Sequence, residues 1–160
     1  MTTSIVETLA ALADLAVPEI SVFCLRDLGI LRDVRTGADG LEVVITPTYS
    51  GCPAMSQIED DIRSTLKNKG ISARVVTQLA PAWTTDWMTE SGKEKLRAYG
   101  IAPPHQTPAA HNVVRFISRP AKAEAVPCPH CGSSNTVVSS QFGATACKAL
   151  YKCQDCPEPF

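Results

Sequence analysis

Leu41-Glu42-Val43-Val44-Ile45-Thr46-Pro47-Thr48-Tyr49-Ser50-Gly51-Cys52-Pro53-Ala54-Met55 is the stretch on which the fold turns. Leu41 to Thr46 is a β-branched run and reads as a strand. Pro47 ends it, since proline has no N–H to give to a ladder. Gly51-Cys52-Pro53 is a sharp strand-to-helix corner, and Pro53 suits the first helical position, where a missing N–H costs nothing. Met55, Ile58, Ile62 and Leu66 then recur at helical spacing. Glu59, Asp60 and Asp61 lie in the earlier half and Lys67 and Lys69 near the end, as the helix dipole prefers, and Gly70 is the expected stop.

Outward from this unit, Ile71, Ala73, Val75 and Leu79 alternate with polar residues and predict a half-buried strand. Upstream, Thr36 to Gly40 is turn chemistry, and Cys24 to Arg35 reads as extended, the first arm of a hairpin. Ser4 and Glu7 have capping-box spacing ahead of Ile5, Leu9 and Leu12, a helix that Pro18 is expected to stop. The predicted order is α-β-β-α-β: an α+β, two-layer domain with helices on one face of a small sheet. Pro81 to Trp87 shows no period, Thr89 caps a short helix closed by Gly100, and Asn112 to Ile117 is strand-like. The expected organisation is a domain over 1–119, of which 81–119 is an extension, a linker over 120–127, and a small unit over 128–160.

Composition narrows the function classes. The 160 residues carry 15 Lys and Arg against 16 Asp and Glu, a net charge of −1. A nucleic-acid binder working by bulk charge would need a basic excess. No apolar run approaches the roughly 18 residues that span a bilayer. The N-terminal stretch has no Lys or Arg before Arg26 and is broken by Glu7 and Asp14, unlike a secretory signal. A soluble, cytoplasmic protein is expected. Among nucleophile, phosphate-loop and dinucleotide motifs none is present, so no catalytic residue is assigned.

Seven cysteines remain, five of them in the last 33 residues. A reducing cytosol disfavours disulfides, and the tail has too few large apolar residues to offset its ordering entropy. Cys128-Pro129-His130-Cys131 and Cys153-Gln154-Asp155-Cys156 are two C-x-x-C knuckles 21 residues apart, the spacing at which four thiolates meet around zinc. Thr136 to Ser140 and Ala149 to Lys152 supply strands for a ribbon. Four cysteines also suit an iron–sulfur cluster, and spacing alone leaves zinc and cluster open. Cys147 either replaces a ligand or stands beside the site; His130, inside a knuckle, is expected to point away. A closed four-thiolate site has no open position for substrate, so its use is structural, holding a docking surface. Lys148 and Lys152 against Asp155 and Glu158 give no basic footprint for nucleic acid.

Cys52 is the other chemical candidate. A thiol just before a helix meets that helix's first N–H groups, which favours the thiolate, a nucleophile and metal ligand. Thr46, Thr48, Tyr49 and Ser50 stand ready as hydrogen-bond donors. The competing reading is a small half-buried apolar residue. Cys24, in an apolar run, reads as core, and Trp83 and Trp87 as packing anchors. His105 and His111 read as solvated, and Asp27 as a cap of its turn.

Pro18-Glu19-Ile20, Asp27-Leu28-Gly29-Ile30 and Thr46-Pro47-Thr48-Tyr49-Ser50-Gly51-Cys52-Pro53-Ala54 resemble the iron–sulfur cluster assembly domain of the SufT and cytosolic-assembly type. Together with Pro81 to Met88, Gly100-Ile101-Ala102-Pro103-Pro104, Phe142 to Tyr151, Cys153, Cys156 and Glu158-Pro159-Phe160, the chain closely resembles the phenylacetate-degradation D family. The resemblance implies a small, non-catalytic bacterial accessory protein of a phenylacetyl-CoA 1,2-epoxidase with a di-iron oxygenase and a flavin and 2Fe–2S reductase. It implies assembly or insertion of iron or an iron–sulfur cluster, with the reductase as client and pairing with a second copy left open. Carried over, Cys52 becomes the cluster-handling thiol, and Cys128, Cys131, Cys153 and Cys156 the zinc ligands, while Cys147 is a motif residue with no assigned role. Val17 departs from the wider domain, which places an acid there. The rival classes are a stably bound component of the epoxidase and a zinc-ribbon nucleic-acid module.

Overall fold

The computed structural model describes residues 5–18, 20–104 and 125–160. The chain divides into two compact units, 1–95 and 96–160. In the first, α1 (Ile5–Ala13) buries Thr8 and Leu12; the expected cap Ser4 lies outside the described residues. The helix ends before Pro18, which instead sits in the turn between β1 (Ala16–Val17) and β2 (Ile20–Cys24), a small antiparallel pair.

The expected extended run from Cys24 to Arg35 is interrupted by one turn of helix, α2 (Leu25–Leu28). The reason is local. Cys24 and Asp27 form a capping box, and Gly29, at φ +69°, takes the left-handed C-cap conformation. A Cβ on Gly29 would also lie 2.5 Å from the Trp87 carbonyl oxygen, so glycine is required there twice over.

β3 (Leu31–Gly37) and β4 (Gly40–Ile45) form the predicted hairpin, with a bulge between Leu31 and Asp33. After the corner come α3 (Ala54–Asn68) and β5 (Ala73–Thr77), which runs parallel to β4, so the sheet order is β3-β4-β5. The parallel pair needs a crossover, and α3 is that crossover. The strand stops at Thr77; Leu79, expected within it, is 60% exposed. Ile58, Ile62 and Leu66 bury one stripe of α3, and Leu12, Phe23, Leu25, Val34, Val43 and Ile45 complete the core. Each apolar side chain of this size stabilises the fold by about 1.5–3 kcal/mol on burial. Leu66 O accepts from Ile71 N–H at 2.9 Å, closing α3 at Gly70 as anticipated.

Residues 81–95 are bound tightly to the α2 corner. Trp83 Nε1–H donates to Leu28 O at 2.8 Å, and the Arg32 guanidinium lies 3.5 Å from the Trp87 ring centre. Thr85–Trp87 is a 3-10 turn, and α4 (Glu90–Ala98) is capped by Thr89, whose Oγ1 accepts from Gly92 N–H at 3.0 Å. The second unit contains β6 (Thr136–Ser140) and β7 (Leu150–Cys153), an antiparallel ribbon on the predicted segments. The strand-like 112–117, His105, His111 and 120–124 of the expected linker lie outside the described residues. Among the described residues no helix is long and apolar enough to cross a membrane.

Asp27 is the polar hub of the first unit. Its carboxylate, 4% exposed, accepts from Cys24 Sγ at 3.0 Å, Thr89 Oγ1 at 3.1 Å and Lys95 Nζ at 2.5 Å. Burial opposes its charge, but the hydrogen bonds from Cys24, Lys95 and Thr89 outweigh that and hold it at about 2. A carboxyl depressed on folding adds stability above its unfolded value and loses it as pH falls through the folded one. Asp27→Asn is therefore expected to cost about 2 kcal/mol at neutral pH. The gap to wild type should close between pH 4 and pH 2, measured by urea denaturation across that range.

Candidate metal centre and the Cys52 corner

The ribbon brings the two knuckles together by its register. Thr136, five residues after Cys131, pairs with Cys153, so the end of β7 lies beside the exit of the first knuckle. Gly132 N–H donates to Cys128 O at 2.8 Å, closing the first knuckle in a tight turn. Behind β7, the last residues fold back. Tyr151 and Phe160 exchange two backbone hydrogen bonds and stack their rings at 5.6 Å, and Cys153 N–H donates to Glu158 O at 3.0 Å.

The result is a convergence of four sulfurs. Cys128 and Cys156 Sγ are 3.7 Å apart, Cys131 and Cys153 Sγ 3.6 Å, and all four lie within 4.8 Å of one another. Four sulfurs bonded to one ion at about 2.3 Å define a tetrahedron with edges of about 3.8 Å. The donor set therefore fits a single tetrahedral ion. Cys128 and Cys153 are buried, Cys156 half-buried and Cys131 exposed.

Electrostatics favour a cation at this point. The Cys156 backbone N–H lowers Cys153 to about 7, helped by Asp155 N–H and the Cys131 and Cys156 thiols. Cys156 is stabilised as thiolate by Glu158 N–H, yet burial and its three sulfur neighbours push it up to about 12. One thiol ionises readily and its neighbour then resists, because like charges this close repel. A cation removes that conflict.

The remaining candidates separate by position. Cys147 is exposed and outside the four-sulfur cluster, its Sγ 3.1 Å from Thr145 Oγ1. His130 is exposed and also outside it. Cys24 is buried and donates to Asp27, the packing role its apolar neighbours suggested. Cys52 is half-buried in the turn that opens α3: its N–H donates to Tyr49 O at 3.2 Å, and its carbonyl accepts from Met55 N–H at 3.3 Å. Pro53 is the N-cap, one residue before the position expected for it. Thr46, at the end of β4, is 1% exposed and its Oγ1 has no hydrogen-bond partner among the described residues. Two polar groups have long-range partners that the sequence does not signal. Asp27 collects donors up to 68 residues away, and Asp155 bonds across to Ser133 and Asn135. Neither partnership has a local spacing signal.

Comparison with known proteins adds the following. A family model described as iron–sulfur cluster assembly protein matches residues 6–77, and one described as PaaD zinc beta ribbon domain matches residues 115–160. The chain is 44% identical over 155 residues to a protein of Escherichia coli (strain K12) named as one of the subunits of 1,2-phenylacetyl-CoA epoxidase. The match covers 96% of this chain and 88% of that one. A crystal structure of a DUF59 domain from Bacillus anthracis superposes with a TM-score of 0.52 at 24% identity, covering 57% of this chain and 90% of that one, a likeness of fold. The structure of TM0487 from Thermotoga maritima covers 59% of this chain and 95% of that one, at 23% identity and a TM-score of 0.49. With an assembly-type domain, a four-cysteine ribbon and this relative along nearly its whole length, the chain belongs to the PaaD family.

Proposed function

We propose that this chain is a non-catalytic maturation protein of a phenylacetyl-CoA 1,2-epoxidase system, assembling or inserting iron or an iron–sulfur cluster, with the reductase as client. The observation that carries the reading is the pairing of an iron–sulfur cluster assembly domain with a zinc ribbon, in a chain whose relative is named for the epoxidase. Iron or a cluster is cargo here, and Cys52 is the thiol that handles it. Three features support that role: partial exposure, a place two residues ahead of a 15-residue helix, and the backbone turn that fixes it.

Cys128, Cys131, Cys153 and Cys156 hold a structural zinc ion in this reading. Sulfurs within 4.8 Å suit one shared ion, whereas a cluster would interpose several irons and sulfides between them. Zinc in such a closed site supplies folding energy and leaves no open position for a substrate. The partner surface lies on a cytoplasmic protein in two working parts, the assembly-type domain and the ribbon joined through 120–127. A second reading, a stably bound component of the epoxidase, is favoured by the relative's name. Co-purification with the oxygenase components at fixed stoichiometry during turnover distinguishes it.

Replacing Cys52 with Ala should leave the thermal unfolding of this chain unchanged. A reductase produced alongside the variant should be poor in its cluster, read by visible absorption and iron content; full loading would defeat the assignment. The purified full chain should carry about one zinc ion, and cobalt in its place should give tetrathiolate absorption bands. Cys147→Ser should keep those bands and Cys153→Ser should abolish them. Chelation should melt the ribbon while the 1–95 unit keeps its cooperative urea transition.

A further inference from the structure

The two knuckles are joined by a contact that involves no sulfur. Asp155 stands between Cys153 and Cys156, and its carboxylate reaches across to the segment leaving the first knuckle. Oδ1 accepts from Asn135 Nδ2 at 2.8 Å, and Oδ2 accepts from Ser133 Oγ at short range. Ser133 Oγ in turn accepts from Asn135 N–H at 3.0 Å. Backbone bonds run alongside: Gln154 N–H donates to Asn135 O at 2.9 Å, and Cys128 N–H donates to Ser133 O at 2.9 Å. Ser133 is thus tied by its carbonyl to the first ligand-bearing residue and by its hydroxyl to the second knuckle.

We propose that Asp155 is a positioning residue for the metal centre, clasping the second knuckle to the first so that four sulfurs face one point. The argument is geometric. Gln154 N–H on Asn135 O and Cys153 N–H on Glu158 O hold the backbone on either side of the second knuckle, and the Asp155 carboxylate, between the two ligands, adds the side-chain tie across to the first knuckle. Two acceptor atoms on one carboxylate fix both direction and distance, which a single hydrogen bond does not. Residues that orient ligands from outside the coordination sphere typically change metal affinity by about 10- to 100-fold when removed. Asp155 is exposed, where water competes for its donors, so the lower end is expected. The clasp rests on the reading that these cysteines hold a metal ion.

The test follows metal transfer from the zinc-loaded full chain to a chromogenic chelator in excess. Asp155→Ala should release zinc about tenfold faster than wild type. Cobalt-loaded variant and wild type should share the same absorption bands, since the ligands are unchanged. Asp155→Asn keeps one acceptor and turns a donor on the other partner, so its rate should fall between. Ser133→Ala should also speed release, and the double variant Ser133→Ala/Asp155→Ala should add little beyond Asp155→Ala alone, the signature of one shared contact. Wild-type release from Asp155→Ala, or fully additive effects in the double variant, would overturn the clasp while leaving the metal centre standing. A wild-type chain that takes up neither zinc nor cobalt would defeat the metal reading itself.

Discussion

Four sulfur atoms within 4.8 Å of one another repel as soon as they ionise, and a cation converts that repulsion into a fold. The ribbon depends on this constraint because it has little else. Val137, Val138, Phe142 and Leu150 are all roughly half exposed or more, so its apolar residues do not form an enclosed core. With a cation bound, sulfur–metal bonds would take the place that hydrophobic burial holds in the first unit. The ribbon strands serve to deliver sulfurs: their register sets Cys153 opposite Thr136, and the fold-back of Glu158 to Phe160 steadies the last turn.

The first unit follows the ordinary rule of apolar burial, with one polar exception. Asp27 is buried with its charge, and it is tolerated because three donors converge on it from β2, the α4 cap and α4 itself. That convergence binds residues 83–95 to the α2 corner, so the assembly-type domain extends in space beyond the β-α-β core that defines it. Cys24 and Cys52 show how two thiols in one domain diverge. Cys24 is sealed in, donates to a carboxylate and is pushed above the ordinary thiol range by burial first and Asp27 second. Cys52 sits part-exposed at the mouth of a helix. The residue type is the same, and only the surroundings differ.

Much of this was legible in the chain itself. The alternation of Ile71, Ala73 and Val75, the four-residue spacing of Ile58, Ile62 and Leu66, and the glycine at position 70 are local signals with local causes. Two knuckles 21 residues apart announce a ribbon for the same reason, because a turn around a metal needs cysteines at short fixed spacing. Less legible was the region from Cys24 to Gly29, where an apolar run reads as extended although a capping box turns it into helix. A cysteine in place of the usual hydroxyl residue hides that box.

The α1-β3-β4-α3-β5 order, the strand-to-helix corner at Cys52 and the clustering of thiols were thus determined by sequence alone, through periodicity, turn chemistry and spacing that act over a few residues, whereas the β1-β2 pair and α2 did not show in those patterns. Tertiary structure decided the rest. It alone placed Lys95 and Thr89 on Asp27, left Cys147 outside the four-sulfur cluster, and bridged Asp155 to Ser133 and Asn135. Each of these turns on residues far apart in the chain, which meet, or fail to meet, only once packing has set separate elements against one another.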